Sequence, residues 1–336
     1  MSGRLPAAIC VPRRRLPSAS PDGCDRSAAG QPLPLRDILA QAAHEQLQAA
    51  LPGYDRALIN IRHETTDSSK FAHWFTPRGL ADLPERGSAC SNDTALLVGT
   101  APHTRTETAA LVAESYLCSQ PWAGSDIKAL AARIGHEWDL TVCVLALAGT
   151  VHSAPEFHEL LAAATTELQV LLAERLPGPV RIHANTRGSA TAPLSGQYFT
   201  VTGSAVDYGE DGLVGRGNAR SGLITSAHAA GNEALFGKNP AYHVGKVGGW
   251  LVDQAAVELS EHFGPSRVAA VWRIGSPYPE PAFLDITTDA DPDQAEELVR
   301  EVLSCTDWLT DLTSGERYRP TVQPLAELLD QLEHSP

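Results

Sequence analysis

The order in which two kinds of apolar pattern follow one another along the chain is the feature that most limits its fold. Leu35, Ile38, Leu39, Ala42, Leu47 and Leu51 recur at helical spacing, and Pro52-Gly53 ends that helix. Ala57-Leu58-Ile59-Asn60-Ile61 then predicts a strand. The capping box Thr104-Arg105-Thr106-Glu107 opens a helix to about Leu117, and an apolar run predicts a strand over 140–147. A second capping box, Ser153-Ala154-Pro155-Glu156, opens a long helix ending near Leu176 and Pro177. Strands fit 180–184, 198–202, 268–274 and 283–287, and helices fit 242–263, 293–309 and 325–332. Strand pairs separated by long helices, without strict β-α alternation, predict an α+β fold rather than a doubly wound one. The helix-and-strands unit recurs without a fixed period.

The chain has 336 residues, about two domains' worth at roughly 150 residues per domain. Residues 1–32 are rich in Pro, Ser, Gly, Ala and Arg, lack a hydrophobic period, and read as a loose arm. A first α+β region is expected over 33–190 and a second over 191–336, with a long polar loop at 64–92. Hydrophobic residues at 43% and charged residues at 20% are ordinary globular values. The net charge of -14 disfavours nucleic acid and anionic membrane as partners, because both are polyanions. No apolar run is long enough for a membrane span. Arg13, Arg14 and Arg15 are not followed by an apolar segment, so no secretory signal is expected and the cytoplasm is the expected compartment. None of the six cysteines forms a C-x-x-C pair, which fits reduced thiols; Cys118 and Cys143 read as buried small hydrophobes.

The cations are unevenly used. Only four are lysines, and two of these, Lys238 and Lys246, fall within nine residues. Upstream lies Thr202-Gly203-Ser204-Ala205-Val206-Asp207-Tyr208-Gly209-Glu210-Asp211-Gly212-Leu213-Val214-Gly215-Arg216-Gly217-Asn218, with six glycines if the count extends to Gly222. Glycines let backbone amides turn towards an anion at close range, and Arg216 offers a planar fork suited to phosphate. Glu210 and Asp211 could hold a metal ion or a ligand ammonium. The bland alternative is a glycine-rich loop with solvated charges, and the segment is neither a Walker loop nor a Rossmann fingerprint. In Phe236-Gly237-Lys238-Asn239-Pro240-Ala241-Tyr242-His243-Val244-Gly245-Lys246, Asn239-Pro240 suits a turn into the next helix, whose N-terminal amides would favour an anion. Lysine retained here points to compact charge at a polyphosphate, against the alternative of a solvated helix face. His243 is either a site residue or a satisfied histidine at a helix start.

These segments resemble the archaeal-type S-adenosylmethionine synthases (methionine adenosyltransferases). Gly203-Ser204-Ala205, Gly209-Glu210-Asp211-Gly212, Val214-Gly215-Arg216-Gly217-Asn218, Gly222-Leu223-Ile224-Thr225, Gly237-Lys238-Asn239-Pro240 and His243-Val244-Gly245-Lys246 stand in the family's order. Weaker likeness covers Asn92-Asp93-Thr94, Asp126-Ile127-Lys128, Glu137-Trp138-Asp139-Leu140-Thr141 and Ile274-Gly275-Ser276-Pro277. The resemblance implies repeated units of mixed or antiparallel sheet covered by helices. It also implies formation of S-adenosylmethionine from ATP and L-methionine, with release of phosphate and diphosphate. Mg²⁺ and commonly K⁺ serve the family, and its sites lie between two subunits, which implies a dimer.

Carried onto this sequence, Arg216, Lys238, Lys246 and His243 become the catalytic candidates. Asp93, Lys128, Gly209, Asp211, Gly212, Gly215, Asn218 and Asn239 become the candidates for binding ATP and substrate, and no metal ligand is assigned. The family's early G-H-P-D segment has no counterpart; Ser20-Pro21-Asp22 is the nearest string, so the front end reads as shortened. Ala219, His228 and Ser276 stand where the pattern has Arg, Arg and Lys. Three readings follow: a working synthase, a lapsed homologue that completes or regulates a full-length synthase in a mixed dimer, and a repurposed nucleotide- or sulfonium-binding enzyme.

Overall fold

The computed structural model describes residues 34–51, 53–61, 90–204, 222–224, 231, 233, 238, 243–305 and 324–335. The chain divides into two compact units that interleave along the sequence. One comprises residues 1–67, 105–213 and 322–334, and the other 68–104, 214–321 and 335–336.

In the first unit, helix α1 spans Leu35–Ala50. The strand expected at 57–61 is absent. Residues 56–58 form a turn, because the Asp55 carboxylate accepts from the Ala57 amide at 2.8 Å and its carbonyl accepts from Leu58 N–H at 3.0 Å. An aspartate that bonds its own following backbone offers an alternative to a ladder. Helix α2 (Arg105–Cys118) and helix α3 (Ala154–Ala173) form as expected. At the start of α3, Ser153 accepts from Glu156 N–H at 3.2 Å, while the Glu156 carboxylate accepts from His152 N–H at 2.8 Å. α3 buries Phe157, Leu161, Ala164, Leu168 and Leu172, a helical stripe.

Strands β2 (Lys128–Ile134), β3 (Glu137–Cys143) and β5 (Val180–Ala184) form a mixed sheet in the order β2-β3-β5. β2 and β3 pair antiparallel across Gly135-His136, with Ile134 opposite Glu137 and Gly135 at φ 63. β3 and β5 pair parallel. The single strand expected over 140–147 is split into β3 and the short β4 (Ala146–Leu147). Between them the Asn185 amide takes the place of a neighbouring strand. It accepts from Val144 N–H at 2.7 Å and donates to the Val144 carbonyl at 2.8 Å. β4 pairs parallel with β6 (Phe199–Thr200). Helix α6 (Leu325–His334) closes the unit by packing on α2.

Among the described residues the second unit is a three-stranded antiparallel sheet covered by two helices. Its strands are β1 (Ala95–Ala101), β7 (Ser266–Trp272) and β8 (Phe283–Thr287). Helix α4 (Val244–Phe263) lies on β1 and β7, and α5 (Pro292–Ser304) packs on α4. The core holds Leu97, Val247, Leu251, Ala255, Leu259, Val268, Trp272 and Val299. Burying this much aliphatic and aromatic surface is the main force that holds the unit together. β1 was not expected from the sequence, although Ala95, Leu97, Gly99 and Ala101 alternate inwards along it. Small residues set the spacing: a Cβ on Gly99 would stand 2.2 Å from the Val252 carbonyl oxygen. One on Gly248 would stand 2.6 Å from Leu97 Cδ1.

Among the described residues Cys90, Cys118, Cys143 and Cys305 form no disulfide. Cys118 and Cys143 are half-buried rather than buried. Burial, helped by Glu114 and Asp126, pushes the Cys118 thiol up to about 12, and burial also raises Cys143. Thiols so shifted are poor nucleophiles. No helix among the described residues is long and apolar enough to cross a membrane.

Candidate functional site

The second unit brings three separate motif segments to one end. β1 and β7 run antiparallel with Ala95 opposite Trp272, so the residues just before β1 meet those just after β7. Ser91 N–H donates to the Ser276 carbonyl at 2.9 Å, Gly275 N–H donates to the Ser91 carbonyl at 2.8 Å, and Ile274 N–H donates to Thr94 Oγ1 at 3.1 Å. Asn92-Asp93-Thr94 is thereby fixed against Ile274-Gly275-Ser276-Pro277. The third segment is the start of α4, which Asn92 holds through Oδ1, accepting from Val244 N–H at 2.8 Å.

All four leading amides of α4 are satisfied within the chain. Val244 N–H goes to Asn92, and Gly245 N–H goes to His243 Nδ1 at 3.1 Å. The N–H groups of Lys246 and Val247 both go to the His243 carbonyl, each at 2.9 Å. The expectation that these amides would receive an anion is therefore corrected. What this helix end contributes is its dipole and the ammonium of Lys246. The helix also begins at Val244 rather than Tyr242, with His243 as its cap.

His243 is half-buried, and its Nδ1 accepts a backbone N–H, so the ring proton sits on Nε2. Burial lowers its pKa, Lys238 and Lys246 add to the lowering, and Glu233 and Asp93 oppose it. The imidazole is thus held neutral as an N–H donor rather than as a base. Lys246 is also shifted down by burial. Lys238 Nζ lies 3.6 Å from Glu233 Oε2, with side chains 33% and 24% exposed, so solvent only partly screens the pair. Asp93 is exposed, and its Oδ1 accepts from Thr94 N–H at 2.7 Å.

Of the residues singled out from sequence, Asp93, Lys238, His243 and Lys246 belong to this one unit. The charges of Asp93, Lys238 and Lys246 all act on the His243 imidazole. Lys128 belongs to the first unit, where it lies 3.8 Å from Asp126 and 5.8 Å from the centre of the Tyr198 ring. The Tyr198 hydroxyl donates to the same Asp126 carboxylate. Gly209, Asp211, Gly212, Gly215, Arg216, Asn218 and Asn239 lie outside the described residues. Two participants carry no role in the sequence reading: Glu233, and Asn92 as a cap. Asn92 left a trace there, since the side chain of the cap residue His243 serves the Gly245 N–H, and the Val244 N–H needs an acceptor from elsewhere.

Residues 22–314 match the family model of S-adenosylmethionine synthetase (AdoMet synthetase). The S-adenosylmethionine synthase of Saccharolobus islandicus (strain L.S.2.15 / Lassen #1) is 32% identical over 276 residues, covering 75% of this chain and 68% of that protein. The S-adenosylmethionine synthase of Pyrococcus furiosus is 33% identical over 302 residues, covering 84% of this chain and 72% of that one. This chain belongs to the S-adenosylmethionine synthetase family. A solved S-adenosylmethionine synthetase of Campylobacter jejuni aligns with 72% of the chain at 15% identity, with a TM-score of 0.45, a level at which the likeness carries no argument of its own.

The family uses a divalent metal. Among the described residues no group of three His, Cys, Asp or Glu side chains is placed to hold one. Asp93 is turned onto its own backbone and Glu233 onto Lys238. The described donors do not by themselves fit the ion. Ser276, where the family pattern has a lysine, is anchored at its N–H by the Arg273 carbonyl and at its own carbonyl by Ser91.

Proposed function

We propose that the chain forms S-adenosylmethionine from ATP and L-methionine. The observation that supports this most is that Lys238 and Lys246 belong to the same sheet-and-helix unit as His243 and that both charges act on its imidazole. In the reaction the methionine sulfur attacks C5′ of ATP. A C–S bond forms, the C5′–O bond breaks, and tripolyphosphate leaves with the electron pair. Water then cleaves the tripolyphosphate to phosphate and diphosphate. Negative charge grows on the leaving oxygen, and fixed cations and N–H donors stabilise it without reorganising. Lys238 and Lys246 supply the cations, His243 Nε2–H supplies a neutral donor, and Arg216 is assigned to the same polyphosphate. Asp93 and Asp211 are candidates for the methionine ammonium or a metal-bound water. Mg²⁺, and with it K⁺, would accompany the nucleotide, and two subunits would complete the site.

Purified protein given ATP, Mg²⁺, K⁺ and L-methionine should release S-adenosylmethionine, read by mass spectrometry, together with phosphate. Folded protein without turnover refutes the reading. Lys238→Ala should weaken ATP binding at least about tenfold, as loss of one charge-assisted phosphate contact does.

Ser276 in place of lysine favours a second reading, a non-catalytic partner of a full-length synthase. Turnover that appears only in a mixture with such a synthase, together with co-purification, would support it over the first.

A further inference from the structure

The charges gathered at the start of α4 are balanced in a way that a polyphosphate site does not require. Two cations, Lys238 and Lys246, and two anions, Glu233 and Asp93, act on the same imidazole. Asp93 is exposed and turned to its own backbone. Glu233 is different: it is the less exposed partner of a pair, at 24%, and it faces Lys238. The separation of 3.6 Å holds charge against charge without the short contact of a well-made hydrogen bond. A purely structural ion pair would gain from closing that gap. A loose, half-buried pair is what a lysine needs if it must change partners.

We propose that Glu233 is an internal stand-in for the anionic ligand: its carboxylate holds Lys238 until a polyphosphate displaces it. The inference rests on the assignment of Lys238 to polyphosphate above, and it adds a residue that competes with the ligand. In the ligand-free protein Glu233 keeps the ammonium paired and oriented. On binding, Lys238 passes from carboxylate to phosphate and Glu233 is released. The ligand's affinity is therefore reduced by the strength of the pair it breaks. No covalent step is involved.

The test is binding of inorganic tripolyphosphate, measured by calorimetry, to four full-length proteins: wild type, Glu233→Gln, Lys238→Ala and the double variant. Each is first checked for an unchanged melting temperature, and Glu233→Ala, which also removes the charge, replaces the glutamine variant if that one melts early. Glutamine keeps the shape and removes the charge, so Glu233→Gln should bind about threefold to fivefold more tightly, the range a partly exposed pair allows. The Lys238→Ala background separates a latch from simple repulsion. With no lysine to release, adding Glu233→Gln should change affinity less than twofold. An equal gain in that background would show that Glu233 only repels the ligand, and would overturn the latch. Weaker binding by Glu233→Gln would overturn it too, showing that the carboxylate positions Lys238 for the ligand. If wild type fails to bind but Glu233→Gln binds, the latch stands and holds the site shut. If neither binds, both the latch and the polyphosphate assignment fall.

Discussion

Asn92→Ala should cost the second unit far more than one surface contact. Asn92 Oδ1 accepts from Val244 N–H at 2.8 Å, and Val244 is fully buried. Losing a helix-capping side chain costs about 1 kcal/mol in general. Here the abandoned amide belongs to a buried residue, and leaving such a donor unpaired costs about 1–3 kcal/mol. The expected loss is therefore about 2–3 kcal/mol, the upper part of that range, because water reaches the amide poorly. Asn92→Asp keeps an acceptor oxygen in the same place and should fall within about 0.5 kcal/mol of wild type. Its added negative charge beside the imidazole should also raise the pKa of His243.

Two readouts are needed, because a chain of two units need not unfold in one step. Urea unfolding followed by tryptophan fluorescence gives the loss of stability, and amide exchange of Val244 to Val247 locates it. The reasoning fails if Asn92→Ala lies within about 0.5 kcal/mol of wild type, the scatter of ordinary surface changes. It also fails if Asp at 92 is as damaging as Ala, since the acceptor would then not be what matters.

Gly99→Ala should destabilise by about 2–3 kcal/mol, because its Cβ would meet backbone at Val252 and nothing there can swing aside. Gly248→Ala meets side-chain atoms of Leu97 and Trp272 and gains helix propensity, so it should lie within about 1 kcal/mol of wild type; urea midpoints rank the two. His243 sits below its ordinary 6.5 in the folded chain, so the unfolded chain takes up the proton first as pH falls. Its contribution to stability is therefore present above about 6.5 and is lost on acidification below it. His243→Asn, which caps without titrating, should flatten the fall in melting temperature between pH 7 and pH 5. An unchanged slope would remove His243 from the account.

How much of this was legible depended on whether the deciding interaction was local. The capping box at Ser153 and Glu156 could be read because its partners lie within four residues. The strand expected at 57–61 failed on an equally local term, the Asp55 turn, which apolar pattern alone outweighed in the reading. β2, with the sequence Lys-Ala-Leu-Ala-Ala-Arg-Ile, carries residues at home in a helix; pairing to β3 across Gly135 makes it a strand. The break at Val144 is owed to Asn185, 41 residues away, and no window of neighbouring residues contains it.

The candidate site shows the same division. Lys238, His243 and Lys246 stood out because they are close in sequence and chemically unusual for this chain. That Asn92 completes their helix, across 152 residues, is decided by topology. α4 ends at Phe263 and β7 starts at Ser266, so the helix runs back over the strand that follows it. The start of α4 must then lie at the far end of β7. Because β1 pairs antiparallel with β7, that is also where β1 begins. One tight connection and one strand pairing thus force three distant segments to a common end. The chemistry of the site was written in its residues, whereas its assembly follows from the order and direction of three elements.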